Sequence, residues 1–356
     1  MRTETHVPGL LYFDINHPVQ ALMLRPVIGA LTEVGYRARI FARDKDVTLA
    51  LLDRSGLSAT TLARRRRGRL GSAIELVARE SRLLRLALGE RPQAIIGTSV
   101  HAGRVGRITG ALSVVINDDD AAAVPWFARL AYPLADIIVK PACLAFENHP
   151  RQVTYKGNQQ LFYLHPSRFT PDPKVRAELG VEPDRRFGVI RLSALDAHHD
   201  LGVRGLGRTH LKEIAAIVPQ NMVVFASQEK EQDLPAAFKP IRLPPERLHH
   251  VLAAAEFFIG DGQTMTAEAA VLGTPAFRLN DFVGRISYLE ELESYRLAFG
   301  FRPGQEKALF AGVADLLGGR PPRADFAEAR RRFLSDMVDP LPWLVDLALS
   351  RLRSHA

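Results

Sequence analysis

FFIGDGQTMTAEAAVLGTPAFRL (257–279) is the stretch from which the rest of the chain can be read. An apolar run ends at Gly260, a turn carries Asp261, Gly262 and Gln263, and helical periodicity begins near Thr264. A second apolar run, PAFRL, follows Gly273. Strand, glycine turn, helix and strand in that order predict a unit of parallel sheet. The start of such a helix carries backbone N–H groups without intrahelical partners, and with the helix dipole they favour an anion, usually phosphate. Glu268 falls about one turn into the helix, within reach of ribose hydroxyls while the turn holds diphosphate. An ordinary strand–glycine–helix junction with a solvated glutamate gives the same pattern, so the segment alone does not decide the ligand.

Outward from this unit the alternation continues. FGVIRLS (187–193) and MVVFAS (222–227) read as strands, HLKEIAAIV (210–218) and ERLHHVLAAAE (246–256) as helices. The first half repeats the scheme. LLYFDI (10–15), RARIFAR (37–43), QAIIGTS, LSVVIN and ADIIVK are strands, and 20–34, 46–56 and 73–90 are helices, the last stopped by Pro92. Between about 145 and 185 the chain is rich in Pro, Asn and charge, as an interdomain connection would be. Two α/β domains are therefore expected, 1–165 and 166–338, with a terminal helix (339–356) after a DP break. A length of 356 residues fits two domains of ordinary size, and 47% hydrophobic residues allow each its own core.

Composition narrows the setting. Cys143 is the only cysteine, which excludes an internal disulfide and fits a reducing compartment. The N-terminus lacks the basic and apolar regions of a signal peptide, and no apolar run approaches the ~18 residues of a membrane span, so a cytoplasmic protein is expected. The net charge of +8 has one dense source: Arg64, Arg65, Arg66, Arg67 and Arg69. Such a run fits anionic lipid headgroups, a phosphorylated substrate or a merely solvated loop. It has no interleaved aromatics, and no zinc-ligand spacing or RNA-recognition signature accompanies it, so nucleic acid is not expected.

In the first half, polar residues follow the strands directly. Asp14 and His17 in DINHP (14–18) sit where a carboxylate-held histidine could deprotonate a hydroxyl, although His17 and Pro18 also simply shape a strand-to-helix turn. His101 and Arg104 in GTSVHAGRVG (97–106) suit an acidic acceptor, or an ordinary loop. Asp118 in INDDD (116–120) reads as a general base or sugar-hydroxyl contact, or as part of an acidic surface loop. His198, His199 and Asp200 have no third ligand at suitable spacing, so no metal is assigned.

DGQTMTAEAAVLGTP resembles the nucleotide-sugar segment of GT-B enzymes, including peptidoglycan N-acetylglucosaminyltransferase and UDP-N-acetylglucosamine 2-epimerase. The chain as a whole resembles the family known as domain of unknown function 354. The resemblance rests on YFDINHP, RPVIGAL, FARDKDVTLALLD, LFYLHP with FTPDP, IRLSALDAHHDLG, LPPERLHHVLAAAE, the glycine turn and ISYLEELE. Thr264 and Met265 agree with its pattern, while INDDD departs from the acid–Thr–Glu–His type of sequence more usual there.

The resemblance implies an α/β GT-B fold: two Rossmann-like parallel-sheet domains facing each other across a cleft, with the C-terminal helix packing back on the first. It implies an acceptor side in the first domain and nucleotide-sugar binding in the second. Glu268 would contact the donor ribose, and Gly262, Gln263 and Thr264 the diphosphate, with Met265 beside them. The loop 192–202, with Ser193 and His199, would face the same cleft, and Arg191 would compensate the leaving diphosphate. The implied function is a glycosyltransferase of polysaccharide or cell-envelope biosynthesis, using a nucleotide-sugar donor, a saccharide or lipid-linked acceptor, and neither metal nor cofactor. A nucleotide-sugar epimerase or hydrolase, or a non-catalytic nucleotide-sugar-binding protein, is the alternative on the same fold. A lipid-linked acceptor would bring Arg64–Arg69 to the anionic inner face of the membrane as a peripheral contact.

Overall fold

A computed structural model describes residues 8–44, 47–64, 68–144, 149–192, 206–228 and 234–355, without the side chains of Arg69 and Arg208. The chain forms two compact units, Met1–Tyr163 with Val338–Ala356, and Leu164–Met337. Each is a parallel sheet covered by helices.

The first sheet contains β1 (Leu10–Ile15), β2 (Arg37–Ala42), β3 (Ala59–Thr60), β4 (Ala94–Gly97), β5 (Leu112–Ile116), β6 (Ile137–Pro141) and β7 (Gln152–Tyr155), in the order β3-β2-β1-β4-β5-β6-β7. β1 is central, and Leu11 to Ile15 are all fully buried, as expected when helices cover both faces of a sheet. β1 and β4 approach closely at Asp14 and Gly97, which pair in register. A Cβ on Gly97, whose φ is +153, would stand 2.3 Å from the Asp14 carbonyl oxygen, so no other residue fits. β7 lies inside the proline-rich stretch expected to be connection. This four-residue edge strand is buried only at Tyr155, so it lacks the apolar run that marks the inner strands.

The second sheet contains β8 (Phe187–Leu192), β9 (Val223–Gln228), β10 (Phe238–Pro240), β11 (Phe258–Gly260), β12 (Ala276–Leu279) and β13 (Ala298–Phe301), in the order β10-β9-β8-β11-β12-β13. In both sheets the winding reverses beside the first strand, between β1 and β4 and between β8 and β11. Open parallel sheets bind ligands at such points, beyond the carboxyl ends of the strands.

Each sheet has its own core. Tyr12, Phe41, Ile95, Val115 and Ile138 pack under the helices Gly68–Glu90, Ala102–Thr109 and Pro125–Ala131. Ile190, Val224, Ile259, Phe277 and Leu279 pack under Arg208–Ile217 and Glu306–Leu317. Full burial of one such side chain contributes about 1.5–3 kcal/mol, which makes these layers rigid platforms for the loops at their ends. The C-terminal helix, Pro340–His355, packs on the helix Pro18–Glu33 and buries Leu344, Val345, Ala348 and Leu352. Trp343 stands 5.2 Å from the Tyr155 ring, and His355 Nε2 donates to the Gly110 carbonyl at 2.9 Å. Among the described residues no helix is long and apolar enough to cross a membrane.

Candidate functional site

At the carboxyl edge of the second sheet, β11 ends at Gly260 and the helix Gln263–Leu272 begins three residues later. Gly260 leaves room for the Phe258 ring, which would lie 2.7 Å from an added Cβ. Gly262 is the N-cap in extended conformation, and among the described residues no side chain caps the helix. The first turn, Gln263 to Met265, is therefore left to an outside acceptor such as a phosphate oxygen. The turn itself is held firmly. Asn280 Nδ2 donates to the Asp261 carbonyl at 2.7 Å, Thr266 Oγ1 donates to the Gly262 carbonyl at 2.6 Å, and the Leu206 amide donates to Asp261 Oδ2 at 3.3 Å.

Two arginines flank Gly260 in register, Arg191 on β8 and Arg278 on β12, so both project on the same face of the sheet. Arg191 Nη1 donates to Ser227 Oγ at 2.7 Å. Arg278 is fully buried, with Nη2 3.5 Å from Glu293 Oε1, while its Nε and Nη1 have no hydrogen-bond partner among the described residues. Burial lowers the Arg278 guanidinium from its ordinary value and raises the Glu293 carboxyl. A buried cation with two unsatisfied nitrogens is costly, and sites that keep such groups commonly use their charge.

Glu268 is only 4% exposed. His249 Nε2, from the neighbouring helix Leu248–Ala254, lies 3.1 Å from Glu268 Oε1. The glutamate is therefore not a freely solvated helix residue but a fixed carboxylate behind the turn. Ser193 and His199 lie outside the described residues, as do His198 and Asp200.

At the carboxyl edge of the first sheet the polar residues have definite partners. Asp14 pairs with Arg79, whose Nη2 is 2.7 Å from Asp14 Oδ1, and both side chains are buried. The carboxylate thus goes to an arginine on the helix Gly68–Glu90, not to His17. His17 is the N-cap of Pro18–Glu33, and its Nδ1 accepts from the Val19 amide at 3.4 Å. A neutral histidine that accepts at Nδ1 carries its proton on Nε2, so it presents a donor where a base needs a lone pair. His101 and Arg104 are also committed: His101 Nδ1 is 3.1 Å and Arg104 Nη2 2.6 Å from Glu80 Oε2. The His101 hydrogen bond and then the Arg104 cation hold Glu80 at about 2, against a burial effect that works upward.

Asp118 follows β5. Asn117 Nδ2 donates to the Asp119 carbonyl at 2.9 Å and to the Tyr132 hydroxyl at 2.7 Å, fixing the loop. Burial first, and then the neighbouring Asp119 charge, push the Asp118 carboxyl well above the ordinary carboxylate range. Among the described residues no group of three or more His, Cys, Asp and Glu is arranged to hold a metal.

Arg79, Glu80, His249 and Arg278 were not anticipated. Only Arg278 leaves a sequence signal, a lone cation inside the apolar strand PAFRL. Arg79 and Glu80 lie on a helix with many charged positions, where pattern does not tell an inward charge from an outward one, and His249 is one of two adjacent histidines in the short helix LHHVLAA, which pattern does not distinguish.

Two parallel-sheet units of this winding have the GT-B fold. The chain belongs to the family described as protein of unknown function (DUF354), which matches residues 11–281. No curated protein matches it. Among solved structures, spinosyn forosaminyltransferase SpnP is similar over 96% of this chain and 99% of its own, with a TM-score of 0.66 and 16% identity. The glycosyltransferase VinC in complex with dTDP has a TM-score of 0.63 and 15% identity over 95% of this chain and 99% of its own. MnaA of S. aureus with UDP has a TM-score of 0.63 and 10% identity, over 93% and 92%.

Proposed function

We propose that the protein is a glycosyltransferase that moves a sugar from a nucleoside diphosphate donor to a hydroxyl of a saccharide or lipid-linked acceptor. The observation that carries this reading is the uncapped helix start at Gly262–Met265, with Arg191 and Arg278 in register on either side of Gly260. That combination of helix dipole and two cations suits the charge that develops on a departing diphosphate. Glu268, steadied by His249, is the carboxylate for the ribose hydroxyls. Structures of this fold were obtained with dTDP and with UDP, which supports a pyrimidine nucleotide as the first ligand to try.

The acceptor belongs to the first unit in this reading. Asp118 is the better base of the two considered, because burial and the Asp119 charge raise its affinity for a proton, whereas His17 spends Nδ1 on the helix cap. Asp14 serves the scaffold through Arg79, and His101 and Arg104 act through Glu80. The positive charge at the helix start takes the role that a divalent ion has in other transferases, so chelator leaves turnover unchanged. A product for polysaccharide or envelope synthesis follows if the acceptor is lipid-linked. Arg64 and its neighbours would then add an electrostatic contact at the membrane, although Arg65, Arg66 and Arg67 lie outside the described residues.

The test is a panel of UDP-, dTDP-, GDP- and CDP-sugars with and without saccharide acceptors, reading nucleoside diphosphate release and thermal shift. Acceptor-dependent release supports transfer. Conversion of the donor without acceptor points to epimerisation or hydrolysis, and thermal shift without turnover to a binder. No shift with any nucleotide overturns the donor site.

A further inference from the structure

The helix Gly68–Glu90 buries Leu83 and Ala87 in the core of the first unit, yet carries a second set of aliphatic side chains that face outward. Its carboxylates turn toward the protein: Glu75 pairs with Arg43, Glu80 with His101 and Arg104, and Glu90 with Arg39. Its outward side carries an apolar stripe beside Arg82 and Arg85. Leu70, Ile74 and Val77 recur at helical spacing and are all exposed, Leu70 by 76%, and Leu88 continues the same stripe. Four exposed large aliphatic side chains on one face need an explanation, since a helix of a soluble layer normally turns that face inward.

The two helices that share its core layer extend the surface. Ala102–Thr109 exposes Ile108, and Pro125–Ala131 exposes Trp126, by 72%, together with Leu130. Seven of the ten large hydrophobic side chains exposed among the described residues therefore lie on this one layer. Its exposed charges have one sign. Arg82, Arg85, Arg107 and Arg129 are exposed, and the Arg129 guanidinium lies 5.7 Å from the Trp126 ring. The helices Ala102–Thr109 and Pro125–Ala131 contain no acidic residue, and every acidic residue of Gly68–Glu90 has a cationic partner.

We infer that this three-helix layer of the first unit docks on an anionic lipid bilayer. Apolar side chains interleaved with arginines, with an exposed tryptophan, match the interfacial zone of a membrane, where an indole ring and long cationic side chains both find partners. The sign of the charge selects the partner, since a protein surface would need a matching acidic patch, whereas an anionic bilayer supplies one everywhere. The contact is interfacial and reversible, because the apolar stripe is held on a folded layer and does not span. The residues of this surface are separate from those assigned to donor or acceptor chemistry.

Trp126 makes the test direct. The chain has two tryptophans, and Trp343 is half-buried against Tyr155. In the full-length protein carrying Trp343→Phe, Trp126 reports alone. With vesicles of phosphatidylcholine and phosphatidylglycerol, and no nucleotide present, its emission is expected to shift to the blue and become shielded from acrylamide. Phosphatidylcholine alone should give neither change. Val77→Asp and Ile74→Asp, at exposed positions, should each lower the vesicle-bound fraction roughly tenfold in apparent partition. Arg85→Gln, Arg107→Gln and Arg129→Gln should each lower it about fivefold, with the far-ultraviolet dichroism and melting temperature preserved.

Sedimentation with anionic vesicles but no change at Trp126 would place the contact elsewhere and overturn the inference. So would equal binding to neutral vesicles, no binding to either, or concentration-dependent dimerisation abolished by Val77→Asp. None of these outcomes bears on donor binding, which thermal shift with nucleotides measures in the same variants.

Discussion

His249 Nε2 stands 3.1 Å from Glu268 Oε1, so that two neighbouring helices of the second unit meet through a histidine–carboxylate pair directly behind the glycine turn. The pair gives Glu268 two duties, holding one helix to the next and presenting a fixed carboxylate to the proposed ribose.

Glu268→Ala is accordingly expected to act on both. Loss of a charged hydrogen bond to ribose, ~1.5–3 kcal/mol, weakens nucleotide affinity roughly ten- to hundredfold. Losing the hydrogen bond between Glu268 and the largely buried His249 adds a stability loss of about 1–3 kcal/mol. Glu268→Gln keeps the shape and should lose affinity with a smaller drop in melting temperature. Calorimetric titration with UDP and dTDP, beside thermal unfolding, separates the two effects. Unchanged affinity in both variants removes Glu268 from the ribose.

Asp118→Asn should trade activity for stability. As a general base Asp118 contributes ~10²–10⁴-fold, so kcat falls by that much while donor affinity holds. In the wild type kcat rises with pH as the elevated carboxyl loses its proton, and the variant lacks that limb. The stability sign is the opposite of the usual carboxylate case. A folded-state value raised above the unfolded one favours folding at low pH, and stability is lost as pH rises through the folded value. Asp118→Asn should therefore raise the melting temperature at pH 7–8 and leave it little changed near pH 4. His17→Asn retains an N-cap acceptor and should turn over near the wild-type rate. A hundredfold loss there would return the base to His17.

The alternation of strand and helix was legible where an inner strand is a continuous apolar run between glycines, prolines or acids. LLYFDI, LSVVIN and FFIGD show this, and each forms a strand within one or two residues of its predicted bounds. QVTY escaped because an edge strand buried only at Tyr155 carries no such run. At the carboxyl edges sequence showed which residues follow a strand but not their partners. Asp14 and His17 are three residues apart, yet the carboxylate reaches Arg79, 65 positions away. Asp118 and the glycine turn stood out because strand-end loops declare themselves. His249 and Arg79 did not, since an inward charge on a helix is defined only by what packs against it.

The Asp14–Arg79 pair lends itself to a double-mutant cycle. Both side chains are buried, and Asp14 Oδ2 and Arg79 Nη1 have no hydrogen-bond partner among the described residues. Arg79→Met alone leaves a buried carboxylate uncompensated, and the expected cost is about 3–5 kcal/mol, as for other broken buried pairs. Asp14→Asn alone should be similarly costly. Arg79→Met with Asp14→Leu should recover most of the loss, since an apolar pair of similar volume avoids desolvating two charges. Chemical denaturation of the four proteins measures the coupling. Additive losses would show that the pair does not act as a unit.

Glu80 offers the clearest pH signature in the first unit. His101 and Arg104 hold its carboxyl at about 2, below the usual 4.5. A depressed folded-state value means that the unfolded chain binds the proton more readily. The resulting stability is fully present above the unfolded value and is lost as pH falls through the folded one, between roughly 4.5 and 2. The carboxylate is 29% exposed, so solvent screening reduces the contribution to the order of 1–3 kcal/mol. Glu80→Gln should remove it, lowering the unfolding free energy at pH 7 by that amount and flattening the acid limb between pH 4.5 and 2. The wild type and variant curves then converge at the acid end. Because His101 is buried and Arg104 half-buried, the variant also releases the His101 ring and the Arg104 guanidinium from that carboxylate, at the strand ends proposed to receive the acceptor. If Glu80 only holds them in place, Glu80→Gln should raise KM for the acceptor and leave nucleotide affinity unchanged. A variant that lost donor affinity, or whose acid limb matched the wild type, would show that the Glu80 cluster is not the local device the geometry describes.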